Sequence, residues 1–179
     1  MGMKTVGAVV LAAIGLGCQP TAETPVLASE EAVYFLVRHA EKADQSEDPP
    51  LTEAGQTRAR NLARLLKEAG VDRIYSSDFV RTRDTAAPLA AALGLEVVLY
   101  DPNDLPGLVQ TLASFPGRAL VVGHSNTTPE LAGLLGGEPG PPIPEDEYDR
   151  LYVLTRRPTG GTTTVVLRLE TPGATGGTP

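Results

Sequence analysis

Val33-Tyr34-Phe35-Leu36-Val37, followed at once by Arg38-His39-Ala40-Glu41-Lys42, is the stretch on which the reading turns. Five consecutive apolar residues, mostly β-branched or aromatic, mark a short strand buried on both faces. A strand covered on both faces belongs to a sheet sandwiched between helices. The polar run after it is then the loop at the carboxyl end of that strand, where open α/β sheets bind their ligands.

Outward from this stretch, strand and helix signals alternate. Thr52 caps a helix whose Leu62, Leu65 and Leu66 share a face, with Gly70 as its stop. Arg73 to Ser76 is a second strand, and Thr82 to Leu93 a second helix with Pro88 inside it and Gly94 after it. Glu96 to Tyr100 reads as a third strand and Leu105 to Ser114 as a short helix. Ala119-Leu120-Val121-Val122 is a fourth buried strand, and a helix begins near Pro129. Leu151–Leu154 and Thr162–Leu169 flank a Gly-Gly turn and read as a closing hairpin. The order predicts an α/β fold, a three-layer α/β/α sandwich around a mostly parallel sheet.

Composition narrows the chemistry. The chain has 179 residues, 41% hydrophobic and 21% charged, with a net charge of −7, two histidines, one cysteine and no tryptophan. The length suits one domain with a real core. One cysteine excludes an internal disulfide, and two histidines exclude a three-histidine metal centre. The acidic balance argues against non-specific nucleic-acid binding.

The ends differ from the middle. Residues 1–18 hold an apolar run from Val6 to Leu16 that ends at Gly17-Cys18. The run is short for a membrane span and fits an export signal. Gly17-Cys18 after this run resembles the lipobox of a bacterial lipoprotein, which implies lipidation of Cys18, with cleavage after Ala28 as the other exit. The expected protein is exported, membrane-tethered by its lipid alone, and extracytoplasmic. Residues 19–31 read as a flexible tether, 32–170 as the domain and 171–179 as a disordered tail.

Both histidines fall just past a buried strand: His39 after the first, and His124, in Gly123-His124-Ser125, after the fourth. Ser76-Ser77-Asp78-Phe79-Val80-Arg81-Thr82-Arg83-Asp84-Thr85-Ala86 follows the second. Three strand ends thus bring two histidines and one or two arginines to one crevice. Arginines suit a phosphate dianion, and their charge keeps a neighbouring imidazole neutral and nucleophilic.

At these residues the chain resembles the histidine phosphatase superfamily, also called phosphoglycerate mutase-like. Arg38-His39-Ala40-Glu41 is similar to its Arg-His-Gly-Glu signature, and Gly123-His124-Ser125 to its second histidine motif. The Ser76–Ala86 block and Leu51-Thr52-Glu53-Ala54-Gly55 are similar to two further family blocks, in family order. The resemblance implies a phosphoglycerate mutase-like fold and a histidine acid phosphatase-type phosphoric monoester hydrolase. It implies a metal-independent reaction without cofactor. His39 would form a phosphohistidine, Arg38 and Arg81 would hold phosphoryl oxygens, and His124 would donate to the developing charge. The substrate would be a small phosphorylated molecule or a phosphoprotein. A mutase-type phosphotransferase and a non-catalytic phosphate- or phosphopeptide-binding module stand as alternatives. The family's glycine after the first histidine is here Ala40. One branch carries an acid directly after the second histidine, where this chain has Ser125. The other takes its acid from the segment after the third strand, which makes Asp101 and Asp104 the candidates, with Glu41 behind them. Glu145-Asp146-Glu147 reads as a solvated loop, and Arg58, Arg60, Arg64 and Lys67 as an exposed helix face.

Overall fold

The computed structural model describes residues 1–2 and 31–169. The export signal, Cys18, the tether and the C-terminal tail lie outside the described residues, apart from a few at their edges. Ten elements follow in order: β1 (Ala32–Arg38), α1 (Glu53–Leu66), β2 (Arg73–Ser77), α2 (Val80–Leu93), β3 (Val97–Tyr100), α3 (Leu105–Ala113), β4 (Gly117–Gly123), α4 (Thr127–Leu134), β5 (Arg150–Arg156) and β6 (Thr162–Arg168).

They form one six-stranded sheet of order β3-β2-β4-β1-β5-β6. β1 pairs in parallel with β4, and β2 with both β3 and β4. The closing hairpin is antiparallel, with β5 beside β1 and β6 at the edge. Gly160 and Gly161 turn it with φ of 91° and 84°, a region that suits residues without a Cβ.

Alternation along β1 builds two cores. Tyr34 and Leu36 point to one face, where they pack with Tyr75, Val121, Leu105, Leu108 and Leu131 under α3 and α4. Phe35 and Val37 point to the other, with Ile74, Leu120, Leu62, Leu66 and Leu89 under α1 and α2. The strand is therefore apolar throughout because helices cover it on both sides.

Thr52 caps α1 as expected, its Oγ1 accepting from Gly55 N at 3.0 Å. The helix ends at Leu66, earlier than its glycine stop: Gly70, at φ 71°, turns the chain four residues later. α2 begins at Val80, two residues before the expected Thr82, and closes on a left-handed Gly94. Asp48 Oδ1 accepts from Val80 N at 2.8 Å, so a loop carboxylate caps the helix that its own Phe79 leaves uncapped.

One expected exposed residue is buried. Arg58 sits on the inner face of α1 and is 5% exposed. Its Nε and Nη2 reach the Glu41 carboxylate at 2.7–3.0 Å. Arg58 lies four residues before Leu62 and so shares the buried stripe, and the ion pair makes its burial tolerable.

Candidate active site

Because β1 and β4 are parallel neighbours with Arg38 opposite Gly123, their next residues leave the sheet side by side. These are His39 and His124, with ring centroids 5.6 Å apart at 68°. His39 N donates to Gly123 O at 2.9 Å and ties the two loops together. Both rings line a cavity of about 380 Å³ that Arg38 and Arg81 also line. The four residues expected to form a phosphate site therefore share one pocket. Its size fits a small ligand.

His39 is 3% exposed. Its Nδ1 lies 2.8 Å from Ala40 O, and a carbonyl can only accept, so Nδ1 carries the proton and Nε2 keeps its lone pair. Burial is the main cause that lowers the His39 pKa to about 3. The Ala40 hydrogen bond opposes it, while Arg38, His124 and Arg81 lower it further. The arginine charge expected to keep this ring neutral acts, but desolvation acts more. Ala40 replaces the family glycine without strain, since no non-glycine residue described has positive φ. Its N–H donates to Thr85 Oγ1 at 3.0 Å, so the Ser76–Ala86 block also steadies the loop that carries His39.

The Leu51–Gly55 block serves the same loop. Thr52 N donates to Glu41 O at 2.8 Å. A Cβ on Gly55 would come within 2.5 Å of that same oxygen, which explains a glycine at this close approach.

His124 is held by a chain of hydroxyls. Thr82 Oγ1 donates to the carbonyls of Ser77 at 2.7 Å and Phe79 at 2.9 Å, so it can only accept from Ser77 Oγ, 3.2 Å away. Ser77 Oγ, its proton spent there, accepts from His124 Nε2 at 2.9 Å. The proton of neutral His124 is therefore on Nε2 and its lone pair on Nδ1. Burial first, then Arg81 and Arg38, lower its pKa to about 4. In this state Nδ1 accepts hydrogen bonds; donation to a phosphoryl oxygen, the role implied by the resemblance, requires a second proton.

The arginines are fastened from outside the sheet. Arg38, 3% exposed, gives its Nη1 to Pro144 O at 2.7 Å and Glu147 O at 3.0 Å. Its guanidinium stacks 4.4 Å above the Tyr148 ring. Arg81 stacks 4.3 Å above Phe79 and reaches Asp48 Oδ1 at 3.4 Å. Nε of both arginines is buried and lacks a protein partner among the described residues. A buried N–H without an acceptor is costly, and a ligand oxygen would satisfy it.

The expected acids stand elsewhere. Asp104 caps α3, accepting from Gly107 N at 3.0 Å, and Asp101 holds Asn103 N at 2.9 Å. Neither lines the cavity, although Pro102 and Asn103 between them do. Glu41 is bound to Arg58. The acid that does line the cavity is Glu145, from the run read as a solvated loop. It pairs with Arg38 Nη2 at 3.1 Å and accepts from Ser125 Oγ at 3.1 Å. Glu147 of the same run pairs with Arg150 and Arg168, both at 2.7 Å. Among the described residues, no group of three or more His, Cys, Asp or Glu side chains gathers as a metal-binding set.

Residues 34–102 match the family model of the histidine phosphatase superfamily, branch 1. The match spans the first histidine, the Leu51–Gly55 block and the Arg81 block. The probable phosphoglycerate mutase GpmB of Escherichia fergusonii is 41% identical over 76 residues, which are 38% of this chain and 35% of that protein. The chain thus spans about a third of the length of such curated relatives. Among solved structures, the protein histidine phosphatase SixA, complexed with tungstate, superimposes with a TM-score of 0.61 at 20% identity over 76% of this chain and 96% of its own. A mycobacterial glucosyl-3-phosphoglycerate phosphatase does so with a TM-score of 0.64 at 16% identity, covering 79% of this chain and 100% of its own. These likenesses give the fold: the chain is an α/β sandwich of the histidine phosphatase type.

Proposed function

We propose that the protein is a phosphatase that hydrolyses a phosphomonoester through a phosphohistidine on His39. The observation that carries this is buried, neutral His39, its Nδ1 bound to Ala40 O and its Nε2 free, in a pocket with His124, Arg38 and Arg81. A neutral imidazole with its Nδ1 proton fixed is a ready nucleophile. The Nε–H groups of Arg38 and Arg81 supply donors for phosphoryl oxygens, in a site dry enough to strengthen each contact. His124 takes up a proton at Nδ1 when the phosphate dianion arrives, because that charge favours the imidazolium, and then donates to it. The chemistry asks for no metal ion. A cavity of about 380 Å³ favours a small phosphorylated molecule or a side chain over an enclosed large substrate.

The test is hydrolysis of p-nitrophenyl phosphate, with phosphohistidine captured by an alkaline quench. His39→Ala should abolish both signals. Turnover that survives this substitution would refute the nucleophile. The relatives named mutases support a second reading, transfer to a phosphate acceptor other than water, and adding 3-phosphoglycerate to the phosphorylated protein separates the two. For placement, we propose export and tethering through Cys18. A diacylglyceryl-modified Cys18 at the mature N-terminus is the expected mass, and an intact Met1 in cells would overturn it.

A further inference from the structure

We infer that Glu145 is the general acid and base of this site, an inference that rests on the phosphohistidine reading above. The acid candidates from sequence are committed elsewhere: Asp104 to a helix cap, Asp101 to Asn103 and Glu41 to Arg58. Glu145 is the carboxylate on the cavity wall. Both its oxygens are engaged there. Oε1 accepts from Ser125 Oγ and Oε2 from Arg38 Nη2, each at 3.1 Å. Ser125 directly follows His124, so the residue beside the second histidine holds the carboxylate instead of supplying it. The backbone on either side is anchored too, because Pro144 O and Glu147 O both accept from Arg38 Nη1.

The same contact explains how Glu145 changes role. Nη1 of Arg38 is used by the two carbonyls, so the edge left for a phosphate is Nε, which is unpartnered, and Nη2, which Glu145 holds. A phosphoryl group taking that edge displaces Glu145 from its cation and sets a dianion beside it. Released from the arginine, the carboxylate is on the cavity wall and free to pass a proton to the leaving group. Lys42 on the loop after β1, Arg81 from α2 and the two neutral histidines line the same cavity.

The steps balance. His39 Nε2 attacks phosphorus, the P–O bond to the leaving group breaks, and its electron pair goes to that oxygen, which takes the Glu145 proton. Water then attacks phosphorus while Glu145 removes its proton, and the N–P electron pair returns to His39 Nε2. Ester and water have become alcohol and phosphate, and Glu145 is protonated again.

The Glu145 side chain is 76% exposed although Arg38 is 2% exposed, and glutamine keeps an oxygen to accept from Arg38 Nη2, so Glu145→Gln preserves the fold. The experiment compares Glu145→Gln with the wild type on an alkyl phosphate and on 2,4-dinitrophenyl phosphate, reading kcat/KM. General acid catalysis matters for the poor alkoxide leaving group and little for dinitrophenolate. The expected loss is ~10²- to 10⁴-fold on the alkyl ester, and at least about tenfold smaller on the aryl ester. Equal losses on both would assign Glu145 to positioning Arg38 and overturn the inference. Full activity on the alkyl ester would overturn it as well. A wild type inactive on both esters would instead sink the phosphatase reading, and this one with it.

Discussion

Two imidazoles held without charge, His39 buried and His124 partly so, make the fold sensitive to acid in a calculable way. His39 and His124 take their protons near pH 3 and 4 in the folded protein, against 6.5 when exposed. Below pH 6.5 the unfolded chain binds protons that the folded chain refuses, so acid favours unfolding. Stability from these groups is complete above pH 6.5 and is lost as pH falls toward 4 for His124 and toward 3 for His39. Each contributes a slope of up to about 1.4 kcal/mol per pH unit, so the two together remove about 2–3 kcal/mol between pH 5.5 and 4.5. Depressed carboxylates such as Glu147 act in the same sense, but below their ordinary range. The assay is urea unfolding followed from pH 7 to 4 for the wild type, His39→Asn and His124→Asn. Each asparagine should flatten the curve by about 1.4 kcal/mol per unit over that window, whatever it does to stability at pH 7. Parallel curves for all three proteins would show that the rings are hydrated and titrate normally, and would undo the argument that they are neutral through burial.

Other perturbations are equally definite. Arg58→Ala strips the cation from a mostly buried Glu41 and should lower stability by about 3 kcal/mol, or ~10 °C in Tm, by calorimetry. Combining Arg58→Met with Glu41→Leu removes both charges together and should recover most of that loss. Gly123→Ala places a methyl 2.8 Å from Thr127 Oγ1 and 2.9 Å from the Tyr100 hydroxyl, and should lose about 1–3 kcal/mol in urea unfolding, with turnover falling alongside. Ser77→Ala removes the acceptor of His124 Nε2 and should weaken inorganic phosphate binding by about tenfold in calorimetric titration, at unchanged secondary structure.

The parts legible in sequence are those set by local pattern. A continuous apolar run has to be a strand covered on both faces, and the residue after it has to lie at a carboxyl edge, so the positions of His39 and His124 followed directly. Arg58 was also legible, but by phase and not by type. Grouped with Arg60, Arg64 and Lys67 it looks exposed, whereas its spacing to Leu62 and Leu66 puts it inward. Glu145 carried no such signal. It lies 107 residues from Arg38, in a segment between α4 and β5 with no periodicity to fix its direction. Pairing across that distance is decided by how the sheet closes. Asp101 and Asp104 lie off the cavity wall for a local reason: both carboxylates bind backbone N–H groups of their own turn, a use for which aspartate is suited.

The position of β1 has a consequence in time. The strand that leads into His39 is near the beginning of the domain, yet its sheet partners start at Gly117 on one side and Arg150 on the other. Arg38 is gripped by carbonyls from residues 144 and 147. A chain leaving the ribosome or crossing a membrane in order therefore carries His39 long before it has any pocket to put it in. Such late closure of distant contacts makes assembly slow. It also means that the pocket and the domain are completed in one event, so that a truncated chain carries the residues of the pocket and no pocket.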